Sequence, residues 1–529
     1  MNAGNGPAER RWVLGCAAAA VFVGSIPYLW GWFITPPGYV FLGLTHNIDD
    51  GAVYLSWIRQ IADGKLFYVN MFTSEPVRAQ QLNVLFLAMG LVARFAHLPA
   101  IWVYHLFRAL LGVGFVTAAW RFSKLFLDSP CDRKLFVLLL CFSSGIGWLF
   151  LDYGAPTGPV DNWQPEAITF LSMYLNPLFL CGLILMVLTF NSLVQAHRTR
   201  SLRYYIYAGL FLLLLGNIHT YDVVTVAAVW ACYLLCLAII DRSVPTRDVA
   251  LSALAGFIAL PSLAYQAYLY KIDEVFRARA NSPAPSPQIW AFFAGYGLVF
   301  AFAVFGGCVL IRRANRQMML PLVWSVVGFA LPYLPVAQQR KLVMGLHVPL
   351  CILCAYALMR GLERLPELAR WAIASTVVLF SFNSNFAFLA RDIGLLSQGR
   401  TVTHYTPYIA RQEIAVMRWL EQNGRPDDVV FAPPTFALFT PAMAGLRVYY
   451  GHWSETPDYA SKMREWIAFA NDSTDVRARL ATLQRTKARF CIFEPPAEIE
   501  PQGQLLEFLR PVFKSGDVTV YELHSRVSR

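Results

Sequence analysis

Between Trp12 and Ala390 the chain returns repeatedly to apolar runs of helix-spanning length, and that repetition restricts its fold more than any other feature. About 20 apolar residues in helical form cross the hydrocarbon core of a bilayer. Such runs lie at 12–34 and then near 100–120, 134–151, 172–195, 204–218, 222–240, 249–270, 289–311, 318–336, 342–360 and 369–390. Read as spans, they give about eleven crossings. The composition agrees, because 57% of the 529 residues are hydrophobic and only 15% are charged, against about a quarter charged in soluble domains. The chain reads as an α-helical polytopic membrane protein. Its first run is too long for a signal-peptide core and has no small-residue cleavage pattern before Thr35, so it is expected to stay as an anchor.

A net charge of +11 would suit a nucleic-acid partner, but Lys and Arg gather at the ends of apolar runs rather than on one face. They report orientation, and no nucleic acid is implied. With Arg10 and Arg11 cytoplasmic, the basic loops holding Arg121, Arg198, Arg242, Arg312 and Arg360 all fall on the same side if 82–98 does not cross. That segment, bounded by His97 and Pro99, then reads as a juxtamembrane helix on the outer face. An odd number of crossings leaves the N-terminus cytoplasmic and the C-terminal region outside, in a plasma (inner) membrane setting. Nine of the ten cysteines precede residue 360, mostly within apolar runs, and imply no disulfide framework.

From residue 391 the composition becomes that of a soluble domain. EIAVMRWLEQNG, SKMREWIAFA and VRARLATLQRTKA have helical periodicity, whereas DDVVFAP, LRVYYG, RFCIFE and VTVYEL read as short strands. The expected organisation is a transmembrane domain over 1–390, with a first outer loop at 35–99, followed by a small α/β domain over 391–529.

The outer connections collect polar residues that orientation does not explain. Arg340 and Lys341, in the cluster QQRK between two apolar runs, suit an anionic ligand, since a guanidinium forks onto phosphate oxygens and an ammonium adds point charge. Arg277 and Arg279 read equally well as phosphate ligands or as interfacial side chains. His219 and Asp222 break two strongly apolar runs. They either pair or cap the flanking helices, or they face a substrate cavity. His347 suits a buried, hydrogen-bonded histidine and Asp161 suits a turn; His452, Trp453 and Glu455, in a loop after a strand, suit either a catalytic or acceptor-binding role, with Trp453 stacking on a sugar face, or, favoured of the two, the start of a helix at Glu455.

The first outer loop carries the chemistry. Asp49 and Asp50 open an amphipathic helix on which Val53, Tyr54, Trp57, Ile58 and Ile61 share one face, with Ser56, Arg59, Gln60 and Asp63 on the other. Acids at a helix start are ordinarily caps. Here two are adjacent, and Glu75 and Arg78 follow in the same loop. The helix dipole favours their ionised form, which a general base needs.

The acidic pair Asp49-Asp50, Tyr54 shortly after it, the helix over 50–63 and the run SEPVRAQQ with Pro76 and Arg78 together resemble the GT-C superfamily of integral-membrane glycosyltransferases. The protein O-mannosyltransferases and the lipid A aminoarabinose transferases are the nearest likeness. The resemblance covers the membrane part to about residue 390 and implies a GT-C-like fold. It implies transfer of a hexosyl or pentosyl group from a polyprenyl-phosphate donor to a lipid, glycan or protein acceptor at the extracytoplasmic face. The base is Asp49 or Asp50: order within the pair favours the first, the spacing to Tyr54 the second. Arg78, Arg340 and Lys341 are the implied phosphate ligands, with Tyr54, Glu75, His219 and Asp222 lining the substrate cavity. A divalent cation is left open and no metal ligand is assigned. The competing classes are a transporter or flippase of lipid-linked sugars, which the lack of internal repeats disfavours, and a non-catalytic envelope-assembly protein.

Overall fold

The computed structural model describes residues 6–403, 405–471, 475–495, 501 and 503–524. Among them, eight helices are long and apolar enough to cross a bilayer: Pro7–Phe33, Ala100–Ser123, Pro177–Thr199, Tyr221–Asp241, Thr246–Ile272, Ile289–Arg312, Gln339–Gly361 and Glu367–Ser397. The chain is a multi-pass membrane protein. The other three expected runs are helical but shorter, over Pro130–Phe142, Leu202–Ile218 and Met319–Ala330. The first of these stops because its following backbone bonds elsewhere. Ser144 N–H donates to the Ser381 carbonyl at 2.8 Å and Ile146 N–H to that of Ala294 at 2.9 Å. The third runs into a tight turn at Leu331–Tyr333, where Pro332 has no N–H to continue the ladder.

The chain divides into two compact units. One comprises Met1–Ile26, His105–Gln266 and Pro283–Arg391, and the other Pro27–Tyr104, Ala267–Ser282 and Asp392–Arg529. One change of unit falls between Arg391 and Asp392. The first outer loop, however, clusters with the C-terminal region.

Within the first unit, the start of the chain is tied down by a buried ion pair. Glu9 accepts from Arg133 Nε at 2.7 Å and from Trp120 Nε1 at 2.7 Å.

The second unit is built on hydrogen bonds between distant stretches. Strand β1 (Tyr39–Phe41) pairs antiparallel with β2 (Tyr408–Ala410), with Val40 opposite Ile409. Five more strands, β3 (Val429–Phe431), β4 (Arg447–Val448), β5 (Ala488–Phe493), β6 (Leu509–Ser515) and β7 (Val518–Leu523), form one sheet in the order β4-β3-β5-β7-β6. β3 is parallel to β4 and β5, while β7 is antiparallel to both its neighbours. The helices Tyr459–Asn471 and Val476–Thr486 bury Trp466, Phe469 and Leu483 against Phe431, Cys491 and Phe493.

The first loop runs along this sheet. Val448 N–H donates to the Met71 carbonyl at 3.0 Å, and Thr456 Oγ1 to that of Phe72 at 2.5 Å. The segment expected as a juxtamembrane helix forms over Val84–Ala96, capped by Asn83, whose Oδ1 accepts from Leu85 N–H at 3.1 Å. At about 20 Å this helix is too short to span. Its Gly90 lets it lie directly on the helix Ile48–Ala62, since a Cβ there would sit 2.4 Å from Ile61 Cβ.

Glu413 gives this unit a pH dependence. Its carboxylate accepts from Ala410 N–H at 2.5 Å at the start of the helix Arg411–Asn423. Burial, reinforced by the charge of Glu494 and opposed by that hydrogen bond, raises its pKa from 4.5 to about 7. The folded state therefore holds a proton that the unfolded chain releases earlier, and stability falls as pH rises from the unfolded value through the folded one. Glu413→Gln keeps the acceptor without the titration. In melting curves of the detergent-solubilised protein, the variant is expected to match wild type near pH ~5 and to melt higher near pH ~8.

Candidate active site

Asn47 occupies the N-cap position of the helix Ile48–Ala62, so Asp49 and Asp50 fall in its first turn, where the unpaired backbone N–H groups and the helix dipole favour negative charge. Asp63 ends the helix and Gly64, at φ +103°, turns the chain away. The face expected to be polar is only partly so. Ser56 and Gln60 are buried, because the loop after the helix folds back over them. Gln60 Nε2 donates to the Val69 carbonyl and its Oε1 accepts from Val69 N–H, both at 3.0 Å.

The two acids differ. The Asp49 side chain is 13% exposed and that of Asp50 42%. Both face His452, from the turn after β4, whose Nε2 lies 3.4 Å from Asp50 Oδ1 and 3.9 Å from Asp49 Oδ2. Burial first, and the Asp50 charge second, raise the pKa of Asp49, with the charge of His452 opposing. Burial acts against protonation of His452, but the nearby Asp50 carboxylate, with the charges of Asp49 and Glu455, outweighs it and raises that pKa too. The arrangement is a partly shielded pair of carboxylates beside an imidazole inclined to carry charge.

Glu455 is itself buried. It pairs with Arg279 Nε at 2.8 Å, while Arg279 Nη1 donates to Gln81 Oε1 at 2.8 Å and its guanidinium lies 5.0 Å from the Trp57 ring centre. Arg279 is thus held by a carboxylate and an aromatic face. Tyr54 stacks on Phe86 with ring centres 5.3 Å apart and lies beside Trp57 at 5.6 Å. Glu75 is ion-paired with Lys462. At Arg78 the backbone N–H, with that of Ala79, donates to the Asp273 carboxylate, while the side chain is exposed.

In the first unit the structure brings four other expected residues to one place. His219 Nδ1 lies 3.0 Å from Asp222 Oδ2, and Asp222 is fully buried at the start of the helix Tyr221–Asp241. Against the start of that helix packs the short turn Gln339–Val343, where Lys341 Nζ sits 5.0 Å from the ring centre of Tyr221 and the Arg340 guanidinium 5.2 Å from that of Trp163. Backbone groups pin the turn: Arg340 N–H donates to the Ala284 carbonyl at 3.1 Å, and the Arg340 carbonyl accepts from Gln164 Nε2 at 2.8 Å. Among the described residues neither cation is ion-paired with a carboxylate. Asp161 closes a turn through the N–H groups of Gly145 and Gly147, at 2.9 and 3.1 Å. His347 is buried between Ser143 and Thr169.

Among the described residues no group of three or more His, Cys, Asp or Glu side chains is placed to hold a metal ion.

No protein-family model and no curated protein sequence matches the chain. Solved structures do. The apo form of ArnT from Cupriavidus metallidurans shares 12% identity at a TM-score of 0.55, over 96% of this chain and 98% of that one. The same protein bound to undecaprenyl phosphate aligns at 0.54 with 10% identity, over 97% and 99%. The apo oligosaccharyltransferase of Archaeoglobus fulgidus aligns at 0.55 with 10% identity, over 90% of this chain and 69% of that one. The likeness is one of fold.

Arg279→Met leaves the Glu455 carboxylate buried without its cation. It should destabilise the protein by about 3 kcal/mol, read as a fall in melting temperature, and adding Glu455→Gln should recover most of the loss. An unchanged melting temperature in the single variant would contradict the pairing.

Proposed function

We propose that this chain is a membrane glycosyltransferase that moves a sugar from a polyprenyl-phosphate donor to an acceptor hydroxyl, with Asp50 as the general base. The observation that carries the reading is the carboxylate pair at the start of the helix Ile48–Ala62, partly shielded and faced by His452. Asp50 is the more exposed of the two, so an acceptor can reach it; Asp49 is more buried and has the raised pKa. The fold supports the reading, since it is shared over nearly the whole length of ArnT, which has been captured with undecaprenyl phosphate.

In the reaction so read, the acceptor oxygen forms a bond to the anomeric carbon as the bond from that carbon to the phosphate oxygen breaks. The hydroxyl proton passes to Asp50, and the phosphate leaves with the bonding pair, still attached to its lipid. In the first unit, Arg340 and Lys341 supply charge without a carboxylate partner among the described residues, and we assign them to an anionic headgroup. We also read the N-terminus as cytoplasmic and the C-terminal region as lying outside a plasma (inner) membrane, a reading that the distribution of basic residues at the ends of apolar runs supports.

The test is transfer by the purified protein in nanodiscs from a panel of hexosyl and pentosyl polyprenyl phosphates to lipid, glycan and peptide acceptors. Asp50→Asn should lower the rate by about 100-fold or more, and Asp49→Asn by less. Undiminished transfer by Asp50→Asn, with wild type active, overturns the assignment of the base.

A further inference from the structure

His452 lies about 400 residues along the chain from the acids it faces, on a turn of the C-terminal region that is fixed from several sides. Its ring is 1% exposed. Thr456 Oγ1 accepts from the N–H groups of Gly451 and His452, at 3.1 and 3.4 Å, while donating to the Phe72 carbonyl. Thr456 N–H returns to the His452 carbonyl at 2.9 Å. The ring meets that of Phe72 edge-on, with centres 6.3 Å apart. Gly451 admits this packing, since a Cβ there would stand 2.8 Å from the Ala437 carbonyl oxygen and 2.9 Å from Phe72 Cδ1.

The two ring nitrogens have different work. Nδ1 lies 3.2 Å from Ser454 N–H, which donates to it, and 3.2 Å from Ser454 Oγ. An Nδ1 that accepts a backbone N–H leaves the ring proton of the neutral form on Nε2. In the protonated ring Nδ1 carries a hydrogen as well and no longer accepts from the Ser454 N–H; Ser454 Oγ, at 3.2 Å, is then its acceptor. In either state Nε2 carries a hydrogen, and this nitrogen lies 3.4 Å from Asp50 Oδ1 and 3.9 Å from Asp49 Oδ2, at ion-pair distance and without a formed hydrogen bond.

We propose that His452 is a positioning residue, the counter-ion through which the C-terminal α/β region holds the first-loop carboxylates in the charge state that transfer requires. This rests on the reading of Asp50 as the base. Two acids in one helix turn repel each other, and the commonest result is that one takes up a proton. A cation within 4 Å of both reduces that repulsion and keeps the exposed one ionised, so His452 acts on the base without touching substrate. The raised pKa of His452 agrees with the arrangement.

The other groups bearing on the cluster are few among the described residues. Glu455, on the same turn, adds a negative charge that Arg279 neutralises from the helix Glu274–Ala280. Tyr405 faces Asp49 as a neutral phenol, its pKa raised by burial, by its 3.3 Å contact with the Tyr459 hydroxyl and by the Asp49 charge. Neither can replace the positive charge of His452.

The experiment compares wild type, Asp50→Asn, His452→Gln and His452→Asn in full-length protein in nanodiscs. It reads kcat, the donor KM, the pH profile of kcat and the melting temperature. A glutamine amide reaches toward the place of Nε2 without the charge, whereas an asparagine amide reaches only toward that of Nδ1. His452→Gln is expected to melt close to wild type and to bind donor with a KM within about 2-fold, while kcat falls at least 10-fold. Loss of the cation should also move the acid limb of its pH profile to higher pH by about one unit or more. His452→Asn should lose more. If Asp50→Asn is inactive while His452→Gln keeps both kcat and pH profile, the positioning role is overturned and the base stands. If Asp50→Asn is active, the base reading itself fails. Should neither histidine variant fold, the 13C shift of the labelled His452 ring in wild type decides: a ring still protonated above the ordinary histidine value of about 6.5 supports the proposal, and a ring neutral below it overturns it.

Discussion

Charge confined where water is scarce is the constraint from which the rest of this structure follows. Asp49 and Asp50 sit in one helix turn, where each raises the cost of ionising the other. The helix N-terminus offsets part of that cost. The remainder falls to His452, which arrives from the far end of the chain and can do so only because the first loop is woven into the C-terminal region. The β1–β2 pairing, the bond from Val448 to Met71 and the Thr456 bridge to Phe72 are the stitches. The α/β region thus completes a site whose acids come from the other end of the chain.

The same rule governs the neighbouring side chains. Arg279 and Glu455 neutralise each other beneath the Trp57 ring, and Lys462 answers Glu75. In the first unit, Asp222 is buried beside His219, and Glu9 beside Arg133. Arg340 and Lys341 differ from these, because they rest on aromatic faces without a carboxylate among the described residues. Cations so placed keep their charge available for an anion from outside the chain.

What could be read from sequence follows from which interactions are local. A bilayer demands about 20 apolar residues in one helix, so the spans are visible as runs. The runs at 134–151 and 318–336 outlast their helices, Pro130–Phe142 and Met319–Ala330, since apolar composition does not mark where backbone groups leave the helix ladder, as Ser144 and Ile146 do. The acidic pair is local as well, being two neighbours at a helix start. Its partner is not. The sequence around His452 and Glu455 suits a helix start or an acceptor-binding loop, and no periodicity links position 452 to position 50. Ser56 and Gln60 matched a solvent face because the segment that covers them is irregular. Arg279 reads equally as a phosphate ligand or an interfacial side chain, because its carboxylate partner, Glu455, stands on a turn distant in sequence.

The claim at the centre is that a sugar donor presents its anomeric carbon to the acidic pair. A cryo-electron microscopy map of the protein with a non-transferable phosphonate analogue of a polyprenyl-phosphate sugar tests this directly. The expected result is a sugar whose anomeric carbon lies about 6 Å from the Asp50 carboxylate, room for one attacking hydroxyl in contact with both. A sugar ordered elsewhere, with Asp50 and His452 facing only solvent, would contradict it.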